Sequence, residues 1–446
     1  MNLAVAPAPR AVRADGVWVE TATGRRMMDL TSGMATVNLG HNPPRVLAAA
    51  RAQLDRLLHT GGVFGTDATD ELAERLAGAL PGGISAFGFA TSGSEAVEGA
   101  LRLAARATGR RAVVAFRGGF HGRSLGALAC SSARADARAG WAALGANVHV
   151  SPFPDDESPE AAGRALERLD DLHRHELPPG DTACYLVEPV QGAGGCRPAG
   201  RDFLAGLRAR ADRHGALLVL DEVQTGFGRA GAPFGADLYG VRPDVVCLAK
   251  AIANGFPLSA VGGSHDLVMS ASSALRGPTF GGNPMSCAAA CAVIETIHEE
   301  RLAQRARDAG AAVRARLREI AAAAPFELEV RGEGLLIGLA AAPGWAAALR
   351  AAIFAEGVVV TLCGPDSEVV RLLPPLVISD WELEMALVAL ERAVARVGSG
   401  SRYPRGGKMR WGARSPDPPS GQSAQGACGP AKRARSADPG DPTYST

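Results

Sequence analysis

The chain lacks most of what marks a secreted, metal-bound or membrane-embedded protein. Its 446 residues hold only 8 cysteines. No two of them form a CxxC pair, so neither a zinc-type spacing nor a disulfide framework is offered. Cys184, Cys247, Cys287 and Cys291 stand in apolar or small-residue stretches, where reduced thiols are expected. There is no run of about 18 uninterrupted apolar residues, as a membrane-spanning helix requires. Met1–Arg13 has neither the charged start nor the apolar stretch of a signal peptide. A formal net charge of +1 removes any global electrostatic case for nucleic acid or membrane. The expectation is a soluble, cytoplasmic protein without a metal site.

What is present is enough apolar material for more than one core. The hydrophobic fraction is 47%, and a chain of this length exceeds an ordinary single core. Residues 16–30 read as a hairpin turning at Ala22-Thr23-Gly24. Pro43–Leu58 and Asp67–Leu80 have the apolar spacing of amphipathic helices. From Ala86 onward, strand-like and helix-like segments alternate. The strands are Ala86–Ala90, Arg111–Phe116, Val148–Val150, Ala183–Val187, Ala216–Leu220 and Val245–Ala249. Helical stretches such as Glu95–Ala107 and Arg201–His214 lie between them. This alternation predicts an α/β fold with a mostly parallel central sheet flanked by helices.

Asn283–Ala323 reads as nearly continuous helix with a break near Glu300. A smaller α+β portion follows, with strands at Glu327–Gly332, Leu335–Leu339, Val358–Val360 and Val369–Leu373 and a closing helix over Trp381–Val397. The expected division is an N-terminal segment, 1–45, packing with a small domain, 291–398, around a large domain, 46–290. Residues 399–446 hold eight Lys/Arg against three Asp/Glu and are rich in Gly, Pro and Ser. Such a segment buries too little apolar surface to offset its ordering entropy and is expected to be a solvated, disordered tail.

Three strands end in residues able to do proton or amine chemistry. Ala183–Val187 runs into Glu188, Ala216–Leu220 into Asp221-Glu222, and Val245–Ala249 into Lys250. Ligands of open α/β sheets bind beyond the carboxyl ends of the strands. An acid and an amine delivered to that edge suit a cofactor with an aldehyde on one side and a ring nitrogen on another; a buried Asp221–Lys250 ion pair is the bland alternative. Thr91-Ser92-Gly93-Ser94-Glu95 follows a strand and opens a helix, which suits a phosphate but equally an ordinary helix cap. In Phe120-His121-Gly122-Arg123, Phe120 could stack on a flat ring and Arg123 could pair with a carboxylate. Phe120 could equally be a loop anchor, and His121 a structural histidine.

Together, TSGSEAVEGALRLA, FHGR, EPVQG, DEVQTGFGR, a lysine 29 residues after that aspartate, TFGGNP and RLLPPL resemble the class III (ω-) aminotransferases, pyridoxal 5'-phosphate enzymes of fold type I. The likeness runs from about Gly16 to Val397. It implies that Lys250 is the Schiff-base lysine and proton carrier and that Asp221 keeps the pyridine nitrogen protonated. Phe120 and Val223 would sandwich the ring, Gln224 would hydrogen-bond its phenolic oxygen, and Gly93 and Ser94 would meet the phosphate. Thr279 would reach the phosphate of a neighbouring subunit, making a homodimer with shared sites. His121 and Glu188 receive no catalytic step.

The resemblance also implies substrate roles. Arg371 would take the α-carboxylate of glutamate or 2-oxoglutarate, and Arg123 a distal carboxylate. Relatives acting on ω-amines often carry an acidic residue two positions after the EPxQ motif, where it masks the arginine matching Arg371; here that residue is Ala193. Donor specificity is expected in loops around Met34, Gly61–Phe64 and Trp141. The expected reaction is amino transfer from a primary amine or amino acid to a 2-oxo acid, with 2-oxoglutarate the expected acceptor, in two ping-pong halves. The alternative is a racemase, epimerase or aminomutase of the same fold, which needs no keto acid.

Overall fold

The computed structural model describes residues 9–400 apart from 139–146, 276 and 343. The expected tail, beyond its first two residues, and Trp141 therefore lie outside the described residues. Seven strands form the main sheet, in the order Ala86–Ala90, Ser259–Gly263, Val245–Leu248, Leu217–Asp221, Thr182–Val187, Ala112–Phe116, Val148–Ser151. The last five are mutually parallel. Three central strands are buried along their whole length, which explains their unbroken apolar runs.

Side chains alternate between two apolar layers. Val219 packs with Ala96, Val97 and Leu103 on one face, while Leu218 and Leu220 join Phe203, Leu204 and Leu207 on the other. Helices Gly93–Thr108 and Arg201–His214 cover these two faces, and each ends at a glycine in left-handed conformation, Gly109 and Gly215. Among the described residues no helix is long and apolar enough to cross a membrane.

The mostly parallel α/β sheet is as the sequence pattern predicts, with one element unforeseen. Ser259–Gly263 pairs antiparallel with both neighbours. It is Ser-Ala-Val-Gly-Gly, too short and too glycine-rich for periodicity to mark it.

The early hairpin forms between Trp18–Thr21 and Arg26–Asp29. The predicted strand Val358–Val360 is divided. Val358–Val359 runs parallel to Arg26–Asp29 in the N-terminal sheet, whereas Thr361–Cys363 pairs antiparallel with Val369–Leu372. The latter belongs to a four-stranded sheet with Leu328–Glu333 and Leu336–Ala341. The long helical stretch breaks as expected, into Pro284–Glu299 and Leu302–Ala323, at Arg301, whose φ of 51° ends the first helix's path.

Candidate active site

The three predicted strand ends converge. Asp221 is the last residue of its strand and pairs in register with Cys247, three residues before Lys250. A cavity of about 390 Å³ opens at this edge. Its walls include Ser92, Gly93, Ser94, Phe120, His121, Arg123, Asp221, Val223 and Lys250.

Asp221 is 3% exposed and fully engaged on its inner side. Its Oδ2 lies 2.8 Å from His121 Nδ1, and its Oδ1 accepts the Val223 N–H at 3.1 Å. Burial alone would lower the His121 pKa, but the hydrogen bond and charge of Asp221 outweigh it and raise it. The pair sets a carboxylate against an imidazole inside a buried site. Its neighbour Glu222 faces away from this chemistry. Glu222 accepts the N–H groups of Gly235 (2.9 Å) and Ala236 (2.7 Å) at the start of helix Gly235–Tyr239, and the Thr225 hydroxyl. Burial pushes it up to about 7.

Lys250 follows its strand directly with φ of 47°, a left-handed conformation uncommon outside glycine and frequent at functional sites. Burial lowers its pKa to about 8, against the opposing charges of Asp221 and Glu188 and with help from Arg371. An amine so tuned is partly neutral near physiological pH and therefore nucleophilic. Glu188 ties two loops together: it accepts the Phe120 N–H at 2.8 Å and the Gly192 N–H at 3.2 Å. Burial raises it to about 7.

The Ser92–Glu95 segment forms the helix cap that its sequence suggests. Ser92 caps helix Gly93–Thr108 by accepting the Glu95 N–H, and the Glu95 carboxylate is occupied by Thr91 and Ser92. A helix leaves its first N–H groups without intrahelical partners; here they belong to Gly93 and Ser94 at the cavity wall. A Cβ on Gly93 would come within 3.1 Å of Val223 Cγ1, so glycine lets the helix start approach the ring-flanking residue.

These observations satisfy the needs of pyridoxal phosphate. An anion fits the helix start, a ring fits between Phe120 and Val223, a protonated ring nitrogen fits Asp221, and an aldehyde fits Lys250. The buried Gln224 side chain keeps its Nε2 without a hydrogen-bond partner, a donor left for a ring oxygen.

Three of the predicted residues, Gln224, Arg371 and Thr279, are not among the residues lining this cavity. Arg371, 4% exposed on strand Val369–Leu372, donates from Nε to Thr361 Oγ1 at 3.3 Å and acts on Lys250 through its charge. Thr279 is exposed and away from the cavity of its own chain. Arg123 lines the cavity with an exposed side chain, its backbone N–H held by Ser94 Oγ at 3.1 Å. Thr36 and Leu258 also line the cavity, and Thr361 partners Arg371. No chemical signature singles them out in the sequence, since each is an ordinary small or apolar residue placed by the fold.

The chain is similar to known aminotransferases. The chain is 35% identical to 5-aminovalerate aminotransferase DavT of Pseudomonas putida, over 89% of this chain and 98% of that one. It is 35% identical to 4-aminobutyrate aminotransferase GabT of Escherichia coli, over 84% and 91%. Among solved structures, an amine transaminase from an uncultivated Pseudomonas species with pyridoxal phosphate bound superposes with a TM-score of 0.82 at 32% identity, covering 89% of this chain and 98% of that one. The sequence profile of the family described as Aminotransferase class-III matches residues 5–394. The chain belongs to the class III aminotransferases and is a pyridoxal phosphate-dependent transaminase.

Proposed function

We propose that this transaminase accepts amino donors through a carboxylate held at Arg371, and that 2-oxoglutarate is the acceptor in the second half-reaction. The observation that carries this reading is the state of Arg371. Among the described residues its guanidinium has no carboxylate partner, only the Thr361 hydroxyl. A buried guanidinium without a counter-charge is costly, so a substrate carboxylate is the natural completion. At the position where an acidic residue would mask it stands Ala193, whose carbonyl accepts the Gly364 N–H at 2.8 Å. The printed names of relatives, 5-aminovalerate and 4-aminobutyrate aminotransferases, support donors that join an amine to a carboxylate. With Ala193 in place, Arg371 stays open to an α-carboxylate in both half-reactions.

Bound pyridoxal phosphate supplies an aldehyde for the amine and a ring that withdraws electrons from the substrate carbon. The protein's own residues do the rest. Asp221, fixed by His121, keeps the ring nitrogen protonated, and the first N–H groups of helix Gly93–Thr108 hold the phosphate. Phe120 and Val223 hold the ring flat, and Gln224 donates to its oxygen. Lys250 would hold the aldehyde end of the cofactor and would carry the proton from the substrate carbon as general base. Arg123 and Arg371 orient the carboxylates. Thr279 contributes to the site of a second copy, so the working unit is a homodimer.

The test is to load the enzyme with pyridoxal phosphate and screen donors for conversion to the pyridoxamine form without added keto acid. Amines bearing a carboxylate should convert, and the aldehyde form should return on adding 2-oxoglutarate. Turnover that needs no keto acid would point to an isomerase instead. Ala193→Glu should weaken 2-oxoglutarate less than it weakens an α-amino acid donor, because a salt-bridged Arg371 can still swing free for the acceptor. Equal affinities before and after would refute the open-arginine reading.

A further inference from the structure

The sheet that carries Arg371 has a second set of reactive groups on the same face. Directly opposed residues of an antiparallel pair, and residues two apart along a strand, share a face. By register, Arg371 opposes both Gly338 and Thr361, and Val369 opposes Cys363. Gly338, Arg371, Val369, Thr361 and Cys363 therefore lie on one side. Onto that side packs the loop that follows Glu188-Pro189-Val190-Gln191, and its docking residue is Cys196. A Cβ built on Gly338 would lie 2.9 Å from Cys196 Cβ and 3.2 Å from its Sγ. The missing side chain at 338 is what admits the thiol.

Three links join this loop to the sheet. The Gly364 N–H donates to Ala193 O at 2.8 Å, Cys196 seats on Gly338, and the Cys196 and Cys363 thiols hydrogen-bond to each other. Cys196 is held in a left-handed conformation, with φ of 54°, which a non-glycine residue adopts only when its surroundings impose it. Both cysteines are buried, at 0% and 7% exposure. The hydrogen bond from Cys196 is the main cause that lowers the Cys363 pKa, aided by the charge of Arg371. Burial raises that of Cys196.

We propose that Cys196 and Cys363 form an oxidation site, in which a hydroperoxide converts the thiol pair to a disulfide that locks the Ala193 loop to the strand pair bearing Arg371. The Cys363 thiolate attacks the peroxide; an S–O bond forms, the O–O bond breaks, and the leaving hydroxide takes up a proton. The Cys196 sulfur then attacks the resulting sulfenic acid; the S–S bond forms, the S–O bond breaks, and water leaves with the Cys196 proton. The peroxide is reduced and the thiols oxidised, and an external thiol reverses the bond by exchange. In a reducing compartment such a bond is transient, as a regulatory disulfide must be. Its consequence for catalysis rests on the role proposed above for Arg371: a fixed strand pair cannot adjust that guanidinium to successive substrates.

The experiment treats the pyridoxal phosphate-loaded full chain with hydrogen peroxide, alkylates it under denaturing conditions, and maps cysteines by mass spectrometry. A Cys196–Cys363 peptide lighter by two hydrogens, lost on adding dithiothreitol, is expected. With it, the KM for 2-oxoglutarate should rise roughly tenfold, a typical coupling between sites, with the cofactor absorbance unchanged. Cys363→Ser should keep basal activity and show neither effect, and Cys196→Ala serves in its place if that variant folds poorly. Recovery of both thiols alkylated, or linkage of either to another cysteine, would overturn the site. A confirmed cross-link with unaltered KM would overturn the lock. Arg371→Ala on reduced enzyme, read by the same KM, tests the substrate reading separately.

Discussion

At Asp221 a buried carboxylate meets a histidine ring and a backbone N–H at once. Removing its charge while keeping its shape isolates that function. Asp221→Asn should lower kcat by on the order of a hundredfold or more, with cofactor still bound, as read by steady-state kinetics beside an absorbance spectrum. Lys250→Ala should remove the long-wavelength absorbance of covalently held cofactor, and an unchanged spectrum would show that another residue holds it. Both residues announce themselves in the sequence, because an acid or amine directly after an apolar strand has few structural uses. Glu222 shows the limit of that argument. It follows the same strand, yet its carboxylate only caps helix Gly235–Tyr239. Which of two adjacent acids faces the cavity depends on the alternation of side chains at the strand's end and on a helix some dozen residues later.

Among the elements, the short helix Gly235–Tyr239 depends on a buried acid, and this gives stability a pH dependence of definite sign. Glu222 and Glu188 both have folded pKa values raised by burial to about 7, above the ordinary glutamate value of 4.5. The folded state therefore binds more protons than the unfolded state between these values, and its stability falls as pH rises through that window. The midpoint of urea unfolding should be higher near pH 5 than near pH 8 on this account. Glu222→Gln should remove its share of the slope, and a slope unaffected by that change would show that Glu222 is ionised throughout. Helix boundaries were largely legible: Arg201–His214 coincides with its predicted span, and Asp67–Ala79 differs by one residue. The Ser259–Gly263 strand was not, since its place is set by pairing with two neighbours rather than by its own residues.

For the molecule as a whole, the proposed dimer has a surface to use. Leu57, Leu58, Val63, Phe64 and Phe280 are all exposed, the His59 and Phe280 rings meet at a tilt with centroids 5.1 Å apart, and the Asn283 side chain donates to Leu58 O. Thr279 sits beside this patch in sequence. Apolar groups gathered so are the usual core of an interface. Phe280→Asp should shift the protein toward monomer in sedimentation, a loss of about 2 kcal/mol or more for a central interface residue, and weaken cofactor retention with it. A stable dimer with full cofactor would place the interface elsewhere.

By itself the sequence determined the α/β class, the strand ends bearing Asp221 and Lys250, and the family, because these rest on local patterns: unbroken apolar runs, glycines at turns, and motifs of fixed spacing. Tertiary structure decided everything that depends on residues far apart in the chain. It set His121 against Asp221, let Glu188 clamp the Phe120 and Gly192 loops, lowered the Lys250 pKa by burial, and seated Cys196 beside Cys363 on the Arg371 face. Electrostatic tuning and packing act through space, and no spacing along the chain encodes a distance between segments until the sheet has brought them together.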